Sequence, residues 1–144
     1  MECTLAAVSD FAYADRATGK LYILGVVRYI WSSTVPARHD RLAVTFMLEE
    51  FTTNVAGASV EVRLHVQNSD GLDVVPPSPV IPLPFSPVGP AAVGRSASQF
   101  SAELNDLVLP QYGDYAVLLR RPSGEVIARA PFTVTSPPNV EPRT

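Results

Sequence analysis

A chain of 144 residues, 47% hydrophobic and 17% charged, has the size and composition of one packed domain rather than a disordered chain. A formal charge of −3, with ten Arg and one Lys among its cations, leaves no basic footprint for nucleic acid and no basic stripe for an anionic membrane. The single cysteine, Cys3, excludes an intrachain disulfide and favours a reducing, cytoplasmic setting; the first residues lack the basic region of a secretory signal, and no run of ~18 uncharged, helix-compatible apolar residues is present.

Hydrophobic residues recur at period two between short polar breaks. The spacing predicts a strand over residues 3–8 that continues irregularly through Phe11 and Tyr13, then a hairpin loop at 15–19 closed by Gly19. Residues 20–31 read as one strand that is apolar on both faces, with Leu21, Ile23, Val27, Tyr29 and Trp31 on one side and Tyr22, Leu24, Val26 and Ile30 on the other. Such a strand needs cover on both sides, from a loop, the proline-rich segment or another subunit. Gly25 in its middle marks a bulge or a close backbone approach. A loop over 32–40 containing Pro36 leads to a strand at 41–51.

A turn over 52–57 leads into the clearest alternation of the chain. Val60, Val62, Leu64 and Val66 interleave with Glu61, Arg63, His65 and Gln67, the pattern of a strand with one buried and one wet face. Ser69-Asp70-Gly71 is a turn, and 72–75 a short strand. Residues 76–90 hold seven of the fourteen prolines; without those N–H groups the segment is expected to run as an edge cover or crossover between sheets, with docking into an aromatic groove as the alternative. Residues 91–97 are expected to be mobile. Strands follow at 99–107, 114–121 and 125–135, the last two joined by the tight Pro122-Ser123-Gly124 hairpin, and 136–144 reads as a disordered tail. About seven to nine strands in an antiparallel β-sandwich is the expected architecture.

Two resemblances sharpen this expectation. Leu109-Pro110-Gln111-Tyr112-Gly113-Asp114-Tyr115 resembles the approach to a late strand of immunoglobulin-like and fibronectin-like sandwiches, in which a tyrosine hydroxyl turns back onto the preceding corner; Tyr115 is the candidate for that role. Asp10, the stretch Thr18 to Val26, Pro36, Gly113-Asp114-Tyr115 and Pro131-Phe132-Thr133-Val134 together resemble an uncharacterised bacterial family of short single-domain sandwich proteins. That resemblance spans essentially the whole chain and implies a standalone binding or assembly domain. It brings no catalytic residues with it.

The reactive residue types do not form a recognisable cluster. His65 lies in the wet phase of its strand, His39 lies in a polar loop beside Asp40, and with Cys3 they lack metal-ligand spacing. Glu49 and Glu50 are neighbours on a strand and point to opposite faces; Thr18-Gly19-Lys20 lacks the remainder of a phosphate-binding loop, and no nucleophile elbow is present. The expected role is therefore non-catalytic, with no cofactor and no metal: self-association or docking to a protein partner. Tyr22, Arg28, Tyr29, Trp31, Leu83 and Phe85 are the candidate contact residues, because aromatic residues and Arg dominate interface energetics. A carbohydrate- or small-ligand-binding module using Tyr and Trp as stacking platforms, or a structural component of a larger bacterial or phage-like assembly, are the alternatives.

Overall fold

The computed structural model describes residues 1–15, 17–50, 59–89 and 94–138. These residues form ten strands: β1 (Glu2–Asp15), β2 (Lys20–Val26), β3 (Tyr29–Trp31), β4 (Ala37–Glu50), β5 (Ser59–Asn68), β6 (Ile81–Pro84), β7 (Ser86–Pro87), β8 (Ser96–Leu109), β9 (Gly113–Arg120) and β10 (Val126–Thr135). They are arranged in two five-stranded sheets, ordered β2-β1-β4-β8-β7 and β3-β10-β9-β5-β6. All pairings are antiparallel except that of β3 with β10. The fold is all-β.

Dyad alternation builds the core. In the first sheet Val8, Leu42, Val44, Phe46 and Leu48 point inward, and in the second Val62, Leu64, Val66, Val117, Leu119, Phe132 and Val134 do so, forming one cluster drawn from both sheets. Phe46 packs on Phe100 with ring centres 6.4 Å apart, and Tyr115 stacks on Phe132 at 5.5 Å.

The strand count exceeds the expected seven to nine because three short strands escape periodicity. The stretch 20–31 is two strands, not one: β2 lies in the first sheet, the chain crosses over at Val27 and Arg28, and β3 joins the second. Residues 37–40, expected as loop, extend β4, where Ala37 and Arg38 pair with Leu109 and Val108. Residues 72–75 contribute an isolated bridge, Gln67 to Asp73, rather than a strand. The expected turn at 52–57, part of the segment 91–97 and most of the tail lie outside the described residues.

The proline-rich segment crosses between the sheets and supplies an edge strand to each. β6 closes the second sheet against β5, and β7 closes the first against β8. Pro82 and Pro84 are two residues apart, so both fall on the same phase of the edge ladder, where no donor is required.

Tyr115 occupies the corner role. Its hydroxyl donates to the Gln111 carbonyl at 2.7 Å and accepts from the Gln111 N–H at 3.1 Å, which fixes the approach to β9. Tyr115→Phe removes both hydrogen bonds to the Gln111 backbone and should cost about 1–3 kcal/mol of stability, read from urea denaturation.

Candidate functional site

The crossover between β2 and β3 concentrates exposed apolar surface. Its path is set locally. Gly25 adopts φ +68, and a side chain there would meet the Asp10 carboxylate at 2.5 Å. The Val27 N–H then donates to the Val8 carbonyl at 2.7 Å, while the Arg28 carbonyl accepts from Thr133 at 2.9 Å, so one residue is held by the first sheet and the next by the second. Gly25→Ala combines a left-handed backbone with a steric conflict. It should lower stability by about 1–3 kcal/mol in thermal unfolding, with a larger loss for Gly25→Val.

This crossover lies between two open grooves. One, of about 260 Å³, runs between Val8, Arg28 and Phe132. The other, of about 620 Å³, is bordered by Asp10, Gly25, Trp31 and His39. Tyr29 and Trp31 are two residues apart and thus share a side of β3, with 60% and 61% of their surface exposed. Tyr22 is 47% exposed and packs against Tyr13 with ring centres 6.3 Å apart; Leu24 (61%) lies opposite Phe11, over whose ring the Arg41 guanidinium sits at 5.4 Å. Arg28, Tyr29 and Trp31, singled out from the sequence, are exposed at or beside the crossover, and Tyr22 is exposed earlier on β2.

Leu83 and Phe85 are not part of that surface. Both are core residues, 2% and 3% exposed. Ile81, Leu83 and Phe85 alternate with Pro82, Pro84 and Ser86, so pairing of β6 with β5 turns the apolar phase inward and leaves the prolines outside. Conversely, Phe11, Tyr13, Leu24 and Val26 contribute exposed surface that composition did not single out. The signal was the second apolar face of 20–26, which has no covering element among the described residues.

The four sheet edges differ sharply. β6 carries Pro82 and Pro84, β7 is two residues long and contains Pro87, and β3 is three residues long. Short strands and prolines are the usual guards against edge-to-edge pairing. β2 has neither: it runs seven residues, with Lys20 at one end as its single charge. Among the described residues nothing pairs with its outer side.

The titratable groups remain dispersed. His39 lies opposite Leu107 and borders the larger groove, while the His65 Nδ1 sits 3.0 Å from the Asp73 carboxylate. Glu49 pairs with Arg95, and Glu50 with the N-terminal amine at 3.3 Å. Cys3 is half-buried opposite Leu48, and burial raises its thiol above the ordinary value, making it a weak nucleophile at neutral pH. Among the described residues no three His, Cys, Asp or Glu side chains converge as metal ligands, and no helix is long and apolar enough to cross a membrane.

The model of a family of unknown function, DUF6941, matches residues 4–135. The chain belongs to that family. The match covers every described strand from the start of β1 to the end of β10, apart from the first two residues of β1. No curated protein matches the chain.

Proposed function

We propose that the chain is a non-catalytic immunoglobulin-like sandwich that self-associates by pairing β2 with the β2 of a second copy. The sandwich reading is supported by the core shared between the sheets and by strand order. The run β2-β4-β8-β7 follows the A-B-E-D order of immunoglobulin domains once β1 is treated as an extra strand inserted between the first two, and β10-β9-β5-β6 follows G-F-C-C′. The Tyr115 corner fits the same plan.

The open β2 edge carries the functional reading. An antiparallel two-fold pairing centred on Ile23 sets Tyr22 of each copy opposite Leu24 of the other, and Lys20 opposite Val26. It opposes no like charges and forms two aromatic–aliphatic cross-strand pairs on the exposed face. Tyr29, Arg28 and Trp31 extend the contact surface beyond the end of the strand. Seven paired residues make a small interface, so a dissociation constant on the order of 10 µM is expected. Multi-angle light scattering at about 100 µM should give about 1.8 times the 15.5 kDa chain mass, and a strict monomer there overturns the proposal.

A further inference from the structure

The outward face of the second sheet carries an arrangement that self-association does not use. Arg63 on β5 and Arg120 on β9 are directly opposite one another in the antiparallel ladder. Like charges in that relation repel, and strands normally avoid it. Neither guanidinium has a carboxylate partner among the described residues. Arg120 Nη2 donates to Gln67 Oε1 at 3.1 Å and Nη1 to the Gly124 carbonyl at 3.0 Å, both neutral acceptors, while its Nε is buried without an acceptor. The nearby acids are engaged elsewhere: Asp73 holds His65 at 3.0 Å and Gln67 at 3.1 Å, and Glu125 pairs with Arg121 at 3.2 Å. Glu61, two residues before Arg63, forms no ion pair with it. The two arginines border an open pocket of about 530 Å³, together with His65, Gln67, Arg121 and Gly124, and none of its lining residues is acidic.

We propose that this pocket binds the phosphate group of a small molecule, with Arg63 and Arg120 as its ligands. Two guanidinium forks supply donors in the planar geometry that a tetrahedral dianion accepts, and the anion relieves their mutual repulsion. Asp73 positions Gln67, which in turn holds Arg120 toward the pocket. The concentration of charge is local, because the whole chain is acidic at −3.

The test is a titration of the full chain with glycerol 3-phosphate and, separately, inorganic phosphate, at ionic strength held constant with sodium chloride. Amide shifts of Arg63, Gly71, Arg120 and Gly124 are followed by NMR. Saturable shifts confined to these residues, with a dissociation constant on the order of 1 mM for glycerol 3-phosphate, support the proposal. Inorganic phosphate binding as tightly identifies the bare anion as the ligand and overturns the small-molecule assignment. Because Arg63 is exposed and has no ion-pair partner to lose among the described residues, Arg63→Gln should fold normally, leave the melting temperature unchanged or slightly raised without ligand, and weaken glycerol 3-phosphate at least tenfold. Arg38→Gln, on the other sheet, should leave binding unaltered. Shifts that do not saturate, or that persist in Arg63→Gln, overturn the proposal. So does a phosphoserine peptide that binds far more tightly than glycerol 3-phosphate, since it makes the pocket a docking point for a modified protein.

Discussion

Leu24→Lys should convert the proposed dimer to monomer while leaving the fold intact. Leu24 is 61% exposed and sits near the centre of the open edge, so the substitution removes no core packing and should alter stability by less than about 0.5 kcal/mol. In a two-fold pairing the change is counted twice: each lysine displaces a leucine from the tyrosine of the other copy and brings a strongly hydrated charge to a strand edge. A rise of at least tenfold in the dissociation constant is expected, measured by sedimentation equilibrium. Val108→Lys, an exposed apolar site on β8, should leave the constant unaltered. Equal effects from both variants would indicate non-specific association and remove β2 from the interface.

Leu83→Ala should behave in the opposite way. Leu83 is 2% exposed and packs in the shared core, so truncation leaves a cavity and should cost about 2–5 kcal/mol in denaturant unfolding. Under conditions where the variant remains folded, self-association should be unchanged. Weakened association without loss of stability would instead place the proline-rich segment at an interface.

Period-two alternation made β5 and β10 legible almost to the residue, because each has one shielded face and one largely wetter one, whereas β9, buried on both faces from Tyr115 to Leu119, was legible from its apolar run between turn residues. The same rule misread 20–31. A strand that changes sheets keeps its hydrophobic content on both sides of the crossing, and a single glycine does not announce whether the chain bulges or departs; the departure comes two residues later, where backbone hydrogen bonding passes from Val8 of the first sheet to Thr133 of the second. Leu83 and Phe85 look like contact residues in the sequence because seven prolines crowd residues 76–90. Their alternation with Pro82 and Pro84 was a strand pattern all the same. Trp31, Tyr29 and Tyr22 carried a true signal of excess apolar surface, yet which edge lacks a guard depends on sheet order. The facing of Arg63 and Arg120, separated by 57 positions (120 minus 63), depends on register, which no local pattern encodes.

The proline-rich stretch acts as a clasp. It is fastened to the rim of one sheet by β6 and, after a single intervening residue, Phe85, to the rim of the other by β7. Phe85 is sunk between those two attachments. Prising the layers apart at this side must therefore undo both fastenings together, so thermal fluctuations that loosen one layer are communicated to the other, and amide protons on either side of the clasp should exchange in concert.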